Sequence, residues 1–218
     1  SGPVTRYQSQ TGEFARRGFD SATASARVWE RWQQRIDGEP PVDLDVFEPV
    51  ADRDLALDSL DRIAEADPQL VARVAVDEGW LHRLVMVLGG STALAQTLVR
   101  HPDEIEALRE QPRRRGRAGW QEFFAARVGL EDGVARGPAD ALRLANRVAL
   151  AEIAVRDLTA PDSLAIADEV AEELAHVADA VLEMSLAHAR AEVPGWEKAR
   201  LAVLALGKTG AQELNYIS

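Results

Sequence analysis

Apolar residues recur at helical spacing along most of this chain. Ala22, Ala26, Trp29 and Ile36 share one face of a helix expected over residues 22–36. Comparable stripes predict further helices over residues 50–66, 68–75, 81–88, 92–99, 101–109, 120–124, 139–158 and 163–192. The fold class that follows is mainly α: a multi-helix bundle of short antiparallel helices, with the last two helices longer than the rest.

Breaks in the apolar pattern place the loops. Residues 111–118 combine Pro112, Gly116 and four arginines, which predicts a solvated loop, and residues 129–138 are expected to form another. Residues 1–21 are polar, and we expect a loose leader followed by a short turn of helix.

The last stretch departs from the helical pattern. Residues 201–206 form a continuous apolar run, which predicts a buried β-strand. Gly207, Lys208 and Gly210 follow it and predict a polar glycine turn. Because nearly everything before this run is helical, we expect it to be the first piece of a different fold.

Composition narrows the class of protein. With 46% hydrophobic residues among 218, the chain can build a substantial core. A formal net charge of −11 argues against a nucleic-acid-binding surface, because backbone phosphates would be repelled. No cysteine is present, and no apolar run approaches the roughly 20 residues that cross a bilayer. These features predict a cytoplasmic protein without membrane contact.

The glycine turn invites comparison with a phosphate-binding loop, because Gly-Lys-Thr closes that motif. The motif also needs a glycine five residues before Gly207, and Ala202 stands there. A more general interpretation is a flexible turn whose backbone N–H groups approach a phosphate, with Lys208 as a point charge. Spacing alone favours an ordinary turn.

Other clusters have ordinary structural interpretations. The arginines of residues 111–118 could bind an anionic partner, but a short basic loop on an acidic chain is more often a solvated connection. Trp29 and Trp32 are expected to be core anchors. His176 and His188 lie too far apart to share a metal, so no metal site is predicted. One face of the last long helix is expected to face solvent, with a docking role left open, and carries Asp168, Glu169, Glu172, Glu173, Asp179 and Glu183.

Three stretches resemble one known family. Residues 204–218 (LALGKTGAQELNYIS) resemble the signature of the bifunctional glutamine synthetase adenylyltransferase/adenylyl-removing enzymes, which are members of the nucleotidyltransferase superfamily. Residues 87–102 (VLGGSTALAQTLVRHP) and 143–158 (RLANRVALAEIAVRDL) are similar to the same family. The resemblance covers about residues 14–218.

The resemblance implies a function. Enzymes of this family hold two nucleotidyltransferase units: the first removes AMP from a tyrosine of glutamine synthetase by phosphorolysis, and the second attaches AMP from ATP. The sequence Glu-Leu-Asn-Tyr at residues 213–216 resembles the first unit. The family's nucleotide-binding turn corresponds to Gly207 and Lys208, although Lys208 stands where the wider superfamily has a small residue. Partners implied are glutamine synthetase and the regulatory PII protein.

The family pattern continues with an Asp-x-Asp pair that holds two Mg²⁺ ions, which neutralise charge on the attacking and leaving oxygens. That pair is expected just after Ser218, so no catalytic or metal-binding residue is assigned within the chain. Mg²⁺ and ATP, ADP or phosphate would serve the parent enzyme, and we expect this fragment to be inactive.

The expected domains are a leader at residues 1–21, a helical region at 22–195 and the truncated start of the adenylyl-removase domain at 196–218. A competing hypothesis is a stand-alone helical interaction module without enzymatic activity. An open reading frame that continues into Asp-x-Asp would favour the enzyme, and a stop codon would favour the module.

Overall fold

A computed structural model describes residues 3–214 and Tyr216, with the backbone alone for residues 3–9 and Thr209. Contacts within the chain divide it into two compact units, unit 1 (residues 1–111) and unit 2 (residues 112–218). The boundary falls inside the arginine-rich segment that the sequence predicts as a loop.

Unit 1 is built around its third helix. Its described elements are α1 (Pro3–Arg16), α2 (Ala22–Ile36), a 3-10 helix (Leu44–Phe47), α3 (Arg53–Ala66), α4 (Pro68–Ala75), α5 (Glu78–Gly90), α6 (Thr92–Arg100) and a second 3-10 helix (Pro102–Leu108). Helix α3 packs against α2, α4, α5 and α6. Its side chains Leu57, Leu60 and Ile63 are fully buried. Burial on several sides makes α3 the centre of this core.

Local capping explains where these helices begin. Four of them start after a side chain that accepts a hydrogen bond from the backbone N–H three residues later: Asp52, Asp67, Asp77 and Ser91. Pro68 occupies the first position of α4, where a missing N–H costs nothing. The helix starts predicted at Pro68 and Thr92 are confirmed.

The structure differs from the loose leader expected at residues 1–21, because most of this stretch is helical. Residues Pro3–Arg16 are helical. Phe14 is buried and lies edge-on to Phe19 and Trp29, with ring centroids 4.8 Å and 6.3 Å away. These aromatic contacts fix the end of α1 against α2, and long-range packing of this kind is not visible in a polar sequence pattern.

Unit 2 is a three-helix core with a small hairpin. Its described elements are α7 (Arg117–Val128), β1 (Leu130–Glu131), β2 (Val134–Ala135), α8 (Ala139–Thr159), α9 (Ala167–Glu192), a 3-10 helix (Trp196–Lys198) and α10 (Gly207–Ala211). Trp120, Phe124, Ile153, Leu174 and Met184 meet in the core between α7, α8 and α9.

The hairpin replaces the loop expected at residues 129–138. Strands β1 and β2 are antiparallel, with Leu130 opposite Ala135. Asp132 and Gly133 connect them with φ angles of 50° and 75°. Two successive positive φ angles match the tight turns that join hairpin strands, and Asp-Gly is a typical sequence for them. Asp132-Gly133 is therefore the local sequence signal for this hairpin, and it predicts a turn between two strands rather than an irregular loop.

The mainly α fold class is confirmed, but the strand expected at residues 201–206 is not present. These residues have no regular secondary structure, and Leu204 and Leu206 are 87% and 84% exposed. A β-strand requires a neighbour that satisfies its backbone hydrogen bonds. Within the described residues no segment pairs with this run, so its apolar composition alone does not make it a strand.

Candidate functional site

The predicted glycine turn lies on the surface of unit 2. Gly207 has a φ of 62°, a left-handed value that favours glycine. Both Gly207 and Lys208 are exposed, and they open the short helix α10. A helix of five residues is too short to supply a strong dipole. The turn therefore offers an accessible backbone and a nearby cation.

Gly210 has a packing reason to be glycine. A Cβ atom there would lie 2.5 Å from the carbonyl oxygen of Ala205. The backbone N–H of Glu213 donates to the carbonyl oxygen of Lys208 at 2.8 Å. The chain thus folds back closely on both sides of α10.

The segment that follows α10 contacts the helices of unit 2. Leu214 packs against the core of the unit. The hydroxyl group of Tyr216 donates to the carboxylate of Asp157 on α8, and partial burial together with this carboxylate raises the pKa of Tyr216 above its ordinary value. Leu214 and Tyr216 therefore hold this stretch against unit 2; Asn215, Ile217 and Ser218 lie outside the described residues.

The arginine-rich segment is not a freely solvated loop, which corrects the prediction from sequence. Arg114 forms ion pairs with Glu172 and, at 3.6 Å, with Glu169. Arg117 lies 3.5 Å from Asp179. Opposite charges on the segment and on α9 thus bind each other within unit 2.

Glu173 is the centre of this arrangement. It was expected to face solvent with the other acids of α9, but it is fully buried. Its carboxylate accepts from the backbone N–H of Arg115 at 2.8 Å and from Nε1 of Trp120 at 3.1 Å, and it pairs with Arg156 of α8. A buried carboxylate requires such partners, because losing its hydration is costly.

Arg115 connects Glu173 to a second buried acid. Its guanidinium pairs with Glu152 of α8 and lies over the rings of Trp120 and Phe123, 4.7 Å and 5.1 Å from their centroids. Burial raises the pKa of Glu152, and the hydrogen bond and charge of Arg115 oppose that rise. We name Arg115, Glu152, Arg156 and Glu173 the buried charge cluster.

Two Asp-x-Asp pairs occur within unit 1, and three of their four carboxylates have structural partners. Asp45, of the first pair, accepts from Arg17. Asp52 caps α3, and Asp54 accepts from the backbone N–H groups of Asp20 and Ser21 at 2.9 Å and 3.1 Å. Asp43 is the partner of Asp45 in sequence, but the two do not form part of a metal cluster. We assign no metal-binding role to either pair.

The described residues offer no metal centre. Among them, no group of three or more histidine or acidic side chains could hold an ion. His176 Nδ1 and His188 Nε2 are buried and without a hydrogen-bond partner within the described part of the chain. None of the described helices has both the length and the apolar character that crossing a bilayer requires.

The two helical stretches that resemble the family contribute to the packing of the fold and supply no catalytic group. In residues 87–102, Gly89 lies so close to the segment before α3 that a Cβ would approach Val50 Cγ1 to 2.0 Å, and Ser91 caps α6. In residues 143–158, Glu152 and Arg156 supply half of the buried charge cluster. Some of the residues that carry the family resemblance therefore stabilise the fold.

Comparison with known proteins decides the family. The profile of the glutamate-ammonia ligase adenylyltransferase family matches residues 81–218, more than half of the chain. The chain belongs to this family. The match spans the end of unit 1 and all of unit 2.

Curated relatives extend the similarity over nearly the whole chain. A bifunctional glutamine synthetase adenylyltransferase/adenylyl-removing enzyme of Cutibacterium acnes is 38% identical over 99% of the chain. Proteins with the same name from Streptomyces avermitilis and Streptomyces coelicolor are each 36% identical over 98% of it. The chain spans only 21% to 23% of the length of these relatives. No solved structure matches the chain.

Proposed function

We propose that this chain is the helical region leading into the deadenylylating unit of a bifunctional enzyme that attaches and removes AMP on a tyrosine of glutamine synthetase. The observation that supports this most is the similarity of 36% to 38% over 98% to 99% of the chain to relatives of that name. Sequence similarity of this extent accompanies a shared fold and position in the protein, so the chain corresponds to one defined region of those enzymes.

Within that region we assign nucleotide contact to the turn at Gly207 and Lys208. The exposed backbone at Gly207 can approach a phosphate closely, and Lys208 can supply a positive charge next to it. ATP, ADP or phosphate and Mg²⁺ would act in the whole enzyme. Among the described residues no group of three or more histidine or acidic side chains could hold a metal ion, and we assign no catalytic step to them.

A chimeric enzyme tests the proposal. This chain would replace the aligned region of the Cutibacterium acnes relative, and phosphate-dependent release of ADP from adenylylated glutamine synthetase would be measured. We expect the chimera to retain that activity, because the aligned region covers 99% of this chain. A chimera that folds and keeps AMP removal but loses AMP attachment would contradict the assignment to the deadenylylating unit.

The nucleotide turn has its own test in the same chimera. Lys208→Ala should raise the KM for phosphate or weaken ADP binding about ten-fold, the effect of losing one charge-assisted contact. Lys198→Ala removes an exposed lysine from the 3-10 helix at Trp196–Lys198 and serves as the matched control. Equal effects of the two substitutions would argue against phosphate contact by Lys208. The 218-residue chain alone is expected to release no ADP.

A docking role for α9 towards glutamine synthetase or the PII protein is also proposed, in a narrower form. Glu173 cannot contribute, because it is buried, while Asp168 and Glu169 are exposed. Reversal of Asp168 and Glu169 to lysine should weaken capture of the partner that binds there. Unchanged capture of both partners by a folded double variant would rule out this face.

A further inference from the structure

Unit 1 contains a cavity of about 430 Å³ that the family assignment does not use. Its walls come from residues 41–49 and from the first turns of α5. Val42, Val46, Pro49 and Leu81 make much of the wall apolar, and His82 lies at the same opening. The volume falls within the roughly 300 to 1,000 Å³ that is typical of ligand pockets.

Three carboxylates line the same cavity: Asp43, Asp45 and Glu78. Asp45 pairs with Arg17. Asp43 and Glu78 are exposed, and within the described residues their carboxylates have neither a hydrogen-bond donor nor an ion-pair partner. Two unpaired negative charges therefore accompany an apolar wall.

Several other acids of unit 1 have structural partners: Asp61 pairs with Arg31 and Arg35, and Asp67 and Asp77 cap helices. Those acids stabilise the fold, whereas Asp43 and Glu78 add charge to a concave surface and no described residue of the unit pairs with them.

We propose that this cavity binds an arginine side chain carried by an extended segment of a partner protein. An arginine has an apolar stem that can lie along Val42, Val46 and Leu81, and a planar guanidinium that can donate to an unpaired carboxylate of the wall. A guanidinium is also more weakly hydrated than an ammonium group, so it suits a site with apolar walls better than lysine does. The net charge of −11 attracts cationic segments from a distance. This proposal does not depend on the proposed function.

A peptide titration of the full chain tests the proposal. The probe is the blocked tripeptide acetyl-Ala-Arg-Ala-amide, and its neutral and lysine counterparts carry Gln or Lys at the centre. We expect saturable changes in the amide NMR signals of residues 42–46 and 78–82 with the arginine probe, weaker binding of the lysine probe by about three-fold or more, and no binding of the neutral one. Equal binding of all three probes, or changes spread over the acidic surface, would refute the site.

Substitutions give the second arm. Glu78→Gln and Asp43→Asn should each weaken binding of the arginine probe about three- to five-fold, which is typical of one partly exposed ion pair. Glu65→Gln removes an exposed carboxylate of α3 outside the cavity and should leave the affinity unchanged. Both cavity residues are exposed, so the variants should fold, which circular dichroism would verify. If the Glu65→Gln variant lost as much affinity as the cavity variants, the binding would reflect general attraction to an acidic surface, and the proposed site would be refuted.

Discussion

Gly89 shows at the scale of one residue how the family signature serves packing. Its missing side chain lets α5 approach Val50 and the carbonyl oxygen of Asp52, which would lie 2.0 Å and 2.6 Å from a Cβ atom. The carbonyl oxygen of Gly89 in turn accepts from the backbone N–H of Asp52 at 3.1 Å. Any larger residue must separate these elements.

We therefore expect Gly89→Ala to destabilise unit 1 by about 1 to 3 kcal/mol, the usual cost of overpacking. Gly79→Ala in the same helix is the control, because its Cβ would meet only side-chain ends: the guanidinium of Arg83 at 3.1 Å and the carboxylate of Asp77 at an ordinary 3.5 Å. That variant should be neutral or slightly more stable. Urea unfolding followed by circular dichroism measures both free energies, and equal values for the two variants would disprove the packing argument.

Glu173 gives a second expectation at this scale. Glu173→Gln leaves Arg156 buried beside a neutral amide, and we expect a loss of about 3 to 5 kcal/mol, as for other broken buried ion pairs. Glu172→Gln removes a partly exposed partner of Arg114 and should cost no more than about 1 kcal/mol. Chemical denaturation followed by tryptophan fluorescence measures the free energy of unfolding of the two variants. A loss below about 1 kcal/mol for both would contradict the role of Glu173.

Individual elements differ in how far their sequence determines them. Helix α2 occupies Ala22–Ile36 as predicted, because its stripe and its proline terminator are local signals. Residues 201–206 have an equally clear apolar pattern, yet they form no strand, because a strand depends on a neighbour elsewhere. Patterns that need no partner could be read from sequence, and patterns that need one could not.

The candidate site follows the same rule. The glycine turn at Gly207 was visible from residue types, and its positive φ agrees with them. The buried charge cluster was not visible, because Arg115 and Glu173 are 58 residues apart and only the packing of α7 against α9 brings them together. Glu173 follows the same spacing as the exposed acids of α9, so the sequence alone does not indicate that it is buried.

Asp54 joins two elements and supports a prediction at their scale. From the first turn of α3 it accepts from Asp20 N, Ser21 N and Ser25 Oγ, at the start of α2. Asp54→Ala should cost about 1 to 2 kcal/mol, as for the loss of a helix cap. Asp58→Ala, one turn later in α3, should cost less than about 0.5 kcal/mol. Thermal unfolding of the two variants compares them, and a more stable Asp54→Ala protein would contradict the capping role.

The stability of the whole molecule should depend on pH through Glu152. Burial raises its pKa in the folded state, so the folded chain binds more protons than the unfolded chain once the pH exceeds the ordinary value of 4.5. This group therefore lowers stability as pH rises from 4.5 through the raised pKa, and the cost persists at neutral pH.

Glu152→Gln removes that titration. We expect the free energy of unfolding of the unsubstituted chain, relative to this variant, to increase as pH is lowered from 7 towards 4.5. Urea unfolding at several pH values measures the difference, with Glu172→Gln as the comparison for loss of a more exposed carboxylate. Parallel pH profiles for the unsubstituted and Glu152→Gln chains would show that Glu152 does not contribute in this way.

The buried charge cluster also constrains how the sequence can evolve. Arg115, Glu152, Arg156 and Glu173 come from the arginine-rich segment, α8 and α9, and each compensates another. Replacing one of them leaves an uncompensated charge, whereas replacing the set by apolar residues can be neutral. Across an alignment of relatives Arg115 should therefore covary with Glu152 and Arg156 with Glu173, with both charges of a pair kept or lost together, while the exposed pair of Arg114 and Glu172 should change independently.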